Sequence, residues 1–469
     1  MINLLIILSV YFVSFTDKPE KTAPQLSERA WAQRQRWNIP TDAMDYPVSP
    51  MYMDSLRRMG AKIYHKSRWM NGVTCEMTST TAQKVAQLRF VQAVEITRDN
   101  STPRSWLPKR RRMPATATME AASTMVTDRQ LSLFNLLPLH QAGYEGQGIL
   151  MTVCDGGFYN ANTLSCFRDS LQLGAMDFTD DTDGFYGSTG EHGTMCLSTI
   201  SAMTSNYHGA ATQAQYYLMR SEENNTESPK EMDNLVAALE AADSLGVNVF
   251  SISLGYAMFD NSRWDLSYSD LNGSTTRVSQ AATIAAHKGI LVCVAAGNDG
   301  NDTWHYISAP ADADSILTVG AVTTGGQIED FSSYGPSADG RIKPEVCTVG
   351  SGTQLITPYG YNTSSNGTSY ATPLIAGLAA SLWSALPNEN AMQIRERIIR
   401  SCDNYQSPDS SHRGYGIPNA WTAYTMNPPL GVENAPESLQ EQPRKTLQNG
   451  QIRIILHGRV YDLTGRLIE

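Results

Sequence analysis

Between residues 131 and 427 short apolar runs alternate with longer helical patterns, and this alternation limits the folds open to the chain more than any other feature. Residues 149–154, 214–219, 247–253, 290–295 and 317–322 are apolar stretches bounded by turn residues, whereas 194–203, 231–245 and 278–287 carry helical spacing. Strands buried on both faces need such near-continuous apolar runs. The pattern therefore predicts an α/β fold, a parallel sheet with helices on both faces. In open sheets of that kind, the groups that do chemistry lie at the carboxyl ends of the strands.

Polar residues stand at just those places. Asp155 follows the first apolar run and precedes Gly156-Gly157, and Asn298 closes Val292-Cys293-Val294-Ala295-Ala296-Gly297-Asn298. His192 lies in Gly190-Glu191-His192-Gly193-Thr194, at the start of a helix. Ser369 lies in Asn366-Gly367-Thr368-Ser369-Tyr370-Ala371-Thr372-Pro373, where a turn of small residues enters an apolar helix through Leu374, Ile375, Leu378, Ala379 and Leu382. Singly, each has an ordinary explanation: a turn, a surface or core histidine, a helix cap. Together they are the set that acyl transfer needs. A serine nucleophile needs an imidazole to take its proton, the imidazole needs a carboxylate to fix its tautomer, and the tetrahedral oxyanion needs preplaced donors. Ser369, His192, Asp155 and Asn298 fit these roles in that order, with the Ser369 N–H at a helix start as a second donor.

Five stretches now resemble one family. Val153-Cys154-Asp155-Gly156-Gly157, Glu191-His192-Gly193-Thr194, Ser253-Leu254-Gly255, Ala295-Ala296-Gly297-Asn298 and Gly367-Thr368-Ser369-Tyr370-Ala371-Thr372-Pro373 are similar to the motifs of subtilisin-like serine peptidases, in the family's Asp, His, Ser order. Phe331-Ser332-Ser333-Tyr334-Gly335-Pro336 and Ile342-Lys343-Pro344-Glu345 add a further block, and Tyr415-Gly416-Ile417-Pro418-Asn419-Ala420-Trp421 resembles the closing segment. The resemblance implies that Ser253, Leu254, Gly255, Ala295, Ala296 and Gly297 line the primary specificity pocket and pair with substrate backbone. It also implies a cis bond before Pro310. Met195, where a second histidine is frequent, and Cys347-Thr348-Val349-Gly350, in place of an Ala-Pro-Gly ending, depart from the family pattern without touching a catalytic position. Cys196, one helical turn beyond His192, reads as a small buried residue beneath the histidine.

The remaining chain divides around this unit. Residues 1–15 are almost wholly apolar and read as a secretory signal, 1–16, with a membrane-retained anchor as the alternative. Residues 27–99 read as a small α+β domain, with a helix at 48–59, strands at 61–68 and 72–77, a helix at 81–88 and a strand at 91–96. Ser67-Arg68-Trp69-Met70-Asn71-Gly72-Val73 and Phe90-Val91-Gln92-Ala93-Val94 resemble the inhibitory propeptide of the same peptidases, the alternative being an unrelated accessory domain. Residues 100–127 carry Pro103, Pro108, Pro114 and the basic run Lys109-Arg110-Arg111-Arg112, and read as a cleavable linker. The peptidase domain is then 128–427. A polar linker follows at 428–444, and a β tail at 445–469, whose Val460-Tyr461-Asp462-Leu463-Thr464-Gly465-Arg466 resembles the end of a type IX secretion sorting signal, or is an added β-hairpin.

Composition excludes some classes. A net charge of −10, without a sustained basic face, argues against a nucleic-acid partner. Seven scattered cysteines form no CxxC pair and no zinc spacing, and read as buried thiols with room for one or two disulfides. The acidic run at 177–184 fails the EF-hand pattern at Thr179 and Gly190, and reads as a solvated loop. No metal ligands are assigned. The chemistry requires no cofactor, and the family resemblance allows structural calcium without giving its ligands. The expected protein is thus a secreted or cell-surface serine endopeptidase, made as a self-cleaving zymogen and monomeric. Its partners are protein or peptide substrates, its own propeptide as intramolecular inhibitor, and the secretion machinery if the tail is a sorting signal. The competing readings are an inactive fold used as a binding or scaffold module, and an amidase or esterase on the same triad.

Overall fold

The computed structural model describes residues 8–99, 125–168 and 171–427, together with the backbone of 444–448, 451–456 and 459–461. Its first element corrects an expectation. The apolar run read as a signal core forms a strand, β1 (Leu8–Phe15), inside the small N-terminal domain. That domain continues through α1 (Glu28–Arg36), α2 (Pro50–Arg58), β2 (Lys62–Ser67), β3 (Gly72–Thr78), α3 (Ser79–Val85) and β4 (Val91–Arg98). Its antiparallel sheet has the order β2-β3-β1-β4, so β1 pairs on both sides. Tyr11, Val13 and Phe15 enter a core with Leu56, Val73, Cys75, Met77 and Val85. Six apolar residues in eight, two valines and three aromatics among them, suit a buried strand as well as a signal, and periodicity alone does not separate the two. The folded unit accordingly begins by Leu8 rather than at Ser27.

From residue 128 the chain runs through α4 (Asp128–Leu133), α5 (Leu137–Gln141), β5 (Leu150–Asp155), β6 (Gln172–Asp177), α6 (Glu191–Ser201), β7 (Gln215–Arg220), α7 (Pro229–Leu245), β8 (Val249–Ile252), α8 (Arg277–His287), β9 (Leu291–Ala295), β10 (Leu317–Val322) and β11 (Val346–Val349). The hairpin β12 (Thr353–Ile356) and β13 (Asn362–Ser365) leads into α9 (Thr368–Ala385), followed by α10 (Ala391–Arg400) and α11 (Ala420–Thr425). All five apolar runs are strands of one seven-stranded parallel sheet, in the order β11-β10-β9-β8-β5-β7-β6. Both faces are covered, as expected. Met151, Val153, Leu218, Val249 and Val319 pack in the layer of α6 and α9, whereas Leu150, Cys154, Met219, Phe250 and Val292 face the layer of α7 and α8. In α9, Leu374, Ile375, Leu378 and Leu382 are fully buried. Each contributes about 1.5–3 kcal/mol and fixes the helix that begins at the site.

The N-terminal domain lies on α7 and α8. Glu240 of α7 accepts from Ser67 Oγ (2.5 Å), Arg68 N (2.9 Å) and Trp69 N (3.2 Å). Asp243 takes Arg34 and Arg68, and Lys288 takes Asp42 and Asp45. Arg277 joins Glu95 to Asp233, and Arg98, the last residue of β4, meets Asp180 and Glu223. Of these, Arg34–Asp243 and Lys288–Asp45 are buried; such pairs gain little over an apolar contact, but breaking one side costs about 3–5 kcal/mol, so they fix where the domain docks.

A second unit, residues 429–469, holds β14 (Arg444–Gln448), β15 (Gln451–Leu456) and β16 (Arg459–Tyr461), which pair antiparallel in that order. The basic run 109–112, most of the 100–127 and 428–444 linkers, and the tail's Asn449-Gly450, His457-Gly458 and Thr464-Gly465 lie outside the described residues. No described helix is long and apolar enough to cross a membrane. All seven cysteines are free and buried.

Candidate active site

Asp155 is the last residue of β5 and is buried. His192, the second residue of α6, points its Nδ1 at both carboxylate oxygens of Asp155, 2.9 Å from each. The approach needs Gly193. A Cβ there would stand 2.2 Å from the Gly157 carbonyl oxygen and 2.9 Å from Asp155 Cβ, so any side chain would push the helix start away from the strand. Burial opposes a charge on His192, but the Asp155 carboxylate outweighs it and holds the imidazole well above its usual pKa.

Ser369 is the second residue of α9, in the first turn, where backbone N–H groups have no partner within the helix. Its hydroxyl donates to the Ser253 carbonyl oxygen at 3.4 Å, a long bond. Its own carbonyl oxygen accepts from Ser253 Oγ at 2.8 Å and Cys196 Sγ at 3.4 Å. Cys196 also lies 3.8 and 3.9 Å from the two ring nitrogens of His192, so the thiol sits between the histidine and the serine backbone. Burial raises its pKa and keeps it a thiol.

Asn298 is oriented by Thr368. Its Oδ1 accepts from Thr368 N at 2.8 Å and from Thr368 Oγ1 at 2.9 Å. A backbone N–H can only donate, so the amide oxygen must face Thr368 and Nδ2 faces away, toward Gly367 at the helix cap. Ser253, Leu254 and Gly255 follow β8, and Ala295, Ala296 and Gly297 close β9. Ser308 lies between the two walls: a Cβ on Gly255 would stand 3.0 Å from Ser308 Cβ, and one on Gly297 3.5 Å from Ser308 Oγ. The Ala309–Pro310 bond is cis, as the family resemblance implied. All ten residues picked from sequence thus gather at the carboxyl edge of β5, β8 and β9. Such an arrangement offers a base with a fixed tautomer, a hydroxyl, and two N–H donors beside a walled slot.

The sequence profile of the Subtilase family, Peptidase S8, matches residues 146–417, more than half of the chain. The chain belongs to the subtilase family. It is a serine endopeptidase by that membership. A second profile, the Peptidase S8 propeptide domain of Bacteroidota, matches residues 10–112, in agreement with β1 as part of the small domain. This subtilase is 30% identical over 285 residues to subtilisin DY of Bacillus licheniformis, covering 60% of this chain and 92% of that protein. It is 29% identical over 291 residues to subtilisin E of Bacillus subtilis (strain 168), covering 61% and 68%. The crystal structure of MycP1 from Mycobacterium smegmatis shares the fold, with a TM-score of 0.55 and 21% identity over 71% of this chain and 94% of that one.

Parts of the subtilase site were not singled out from sequence. Thr368 lay inside a recognised motif, but its hold on Asn298 depends on a residue seventy positions away. The acidic run is largely exposed, as expected of a solvated loop, but its carboxylates are also tied to the fold. Asp181 and Asp183 pair with Arg220, which is fully buried, and Asp180 pairs with Arg98 and Lys230. Among the described residues the donor atoms of Asp155, His192 and Cys196, and those of Glu222, Glu227 and Glu231, each lie within 4.8 Å of one another. The first set is the hydrogen-bonded Asp155–His192 pair with its neighbouring thiol. In the second, Glu231 accepts the N–H groups of Glu223 and Ser228 and so braces the loop before α7.

Proposed function

We propose that the protein is a secreted serine endopeptidase made as a self-cleaving zymogen. Ser369 Oγ attacks the scissile carbonyl while His192 Nε2 takes its proton, and Asp155 on Nδ1 fixes the tautomer and stabilises the imidazolium. Asn298 Nδ2 and the Ser369 N–H receive the oxyanion. His192 then returns the proton to the leaving amine, and a water repeats the sequence on the acyl-enzyme. Residues 253–255 and 295–297 hold the acyl side of the substrate as added strands, with Ser308 between them. The reading rests above all on the Asp155–His192 pair standing beside the capped start of α9. Each step uses side chains and backbone N–H groups alone, so no cofactor is invoked; structural calcium stays without assigned ligands.

The N-terminal domain acts as the intramolecular inhibitor. Its last strand, β4, is anchored at Arg98 beside Asp180 and Glu223, in the segments that follow β6 and β7. We assign the β tail a sorting role toward secretion machinery, a cell-surface or secreted location and a monomeric state. The test is hydrolysis of casein or a fluorogenic peptide by wild type, Ser369→Ala, His192→Ala and the double variant. Each single change should abolish most activity and the double should be little worse, because the residues act as a unit. Retained activity in Ser369→Ala would leave the scaffold reading, with hydrolysis from a contaminant, as the better account.

A further inference from the structure

The hairpin β12–β13 carries two tyrosines at its tip that the mechanism does not use. Tyr359 and Tyr361 are 59% and 55% exposed, more than any other large apolar side chain among the described residues except Met51. Their rings stack at 6.2 Å, and Tyr159, four residues after Asp155, meets Tyr359 edge-on at 5.9 Å. Tyr359 OH donates to Glu191 Oε1 at 3.0 Å, and Glu191 immediately precedes His192. The tip is held firmly. Thr357 N donates to the Tyr361 carbonyl oxygen at 3.0 Å, and Asn160 Nδ2 to that of Pro358 at 3.1 Å. A rigid aromatic shelf with a carboxylate on its rim therefore adjoins the catalytic histidine.

The course of the chain gives the shelf a direction. Arg98 and Asp99 leave the N-terminal domain on the α7 and α8 side, at Asp180, Glu223 and Arg263. The chain is next described on the α6 and α9 side, where Val126 N donates to Asn206 O and Gln354 N to Gln130 Oε1. Asn206 is itself bonded by Asn362 of the same hairpin. If Ser369 cuts between these points, the acyl side belongs to the propeptide end and the leaving-group side to the hairpin end. The stretch in between carries Lys109-Arg110-Arg111-Arg112. Tyrosine faces attract guanidinium and ammonium groups, and a neighbouring carboxylate adds to that attraction.

We propose that Tyr159, Tyr359 and Tyr361, with Glu191, form a binding shelf for arginine or lysine on the leaving-group side of the substrate. The proposal rests on Ser369 being the nucleophile. It makes the basic run of the chain's own linker a preferred substrate segment.

The test uses the full chain as expressed and three internally quenched peptides, identical up to the scissile bond, with Arg-Arg, Ala-Ala or Glu-Glu at the second and third positions after it. A chromogenic anilide with the same acyl part carries nothing beyond the bond. Wild type should show a kcat/KM for the arginine peptide roughly five- to tenfold above the alanine peptide, with the glutamate peptide lowest. Tyr359→Ala and Tyr361→Ala should each bring the arginine-to-alanine ratio toward one, mainly through KM, and Tyr359→Phe should keep most of it. An arginine-to-alanine ratio near one in wild type, or one unchanged in both alanine variants, overturns the proposal. An anilide that wild type and Ser369→Ala turn over equally would instead remove the peptidase reading itself, and this proposal with it.

Discussion

Pro373 lies four residues beyond Ser369 in α9 and has no N–H to give the carbonyl oxygen that a regular helix would bond at that point. Ser253 Oγ and Cys196 Sγ take its place, so the first turn of α9 is tied to the end of β8 and to α6. The proline that interrupts the helix ladder thus fixes the position of the serine relative to the pocket wall and the histidine helix.

Ser253→Ala should therefore leave that buried oxygen with only a weak thiol donor. The expected cost is about 1–3 kcal/mol of stability, read as a lowered denaturant midpoint, together with reduced turnover. An unchanged midpoint would mean that the Ser369 carbonyl finds another donor.

Asn298→Ala should fold normally and lose on the order of 10²–10³ in kcat, the loss seen for the oxyanion asparagine of subtilisin itself rather than one obtained from this geometry. Thr368→Val should lose less, because it removes the hydroxyl donor that orients Asn298 but keeps the backbone N–H. Near-full activity in Asn298→Ala would show that another donor receives the oxyanion.

The acid limb of kcat/KM should report His192. The reaction needs the neutral imidazole, and Asp155 holds the protonated form in place, so activity is present above the raised pKa and disappears as pH falls through it. The midpoint should lie above 6.5, the ordinary histidine value. In Asp155→Asn the residual activity should have its acid limb at lower pH, since the stabilising charge is gone. A wild-type midpoint below 6.5 would contradict the pairing.

The sheet was legible because its central strands are buried on both faces and so read as unbroken apolar runs. The site was legible because Asp155 and Asn298 end such runs and because His192 and Ser369 open helices. Edge strand β6, Gln172 to Asp177, was not, since it is half exposed and interrupted by Gly174. Residues 8–15 were misread because a mostly apolar segment of this length serves equally as strand or signal core. The ion pairs of the acidic run were not legible because its counter-charges, Arg220, Lys230 and Arg98, come from distant parts of the sequence. Likewise, nothing local to Ser253 says that it will serve an acceptor stripped by a proline 120 positions later.

Maturation tests how the N-terminal domain and the site work together. Glu240, Asp243 and Lys288 hold the domain on α7 and α8 through contacts that breaking the chain after residue 99 would leave intact. Cleavage alone therefore should not release it, and the cut propeptide should remain bound until it is itself degraded. Expressed in full, the wild-type chain should separate into a propeptide and a catalytic part beginning between Pro103 and Leu131, while Ser369→Ala stays full length. Arg68→Ala, which removes the partner of Glu240 and Asp243, should shorten the lag between cleavage and full activity. N-terminal sequencing, gel analysis and activity time courses would follow the three stages. Normal processing of purified Ser369→Ala would place the cut with a separate trypsin-like enzyme acting at Arg110 to Arg112, and the basic run rather than the cleft would then control activation.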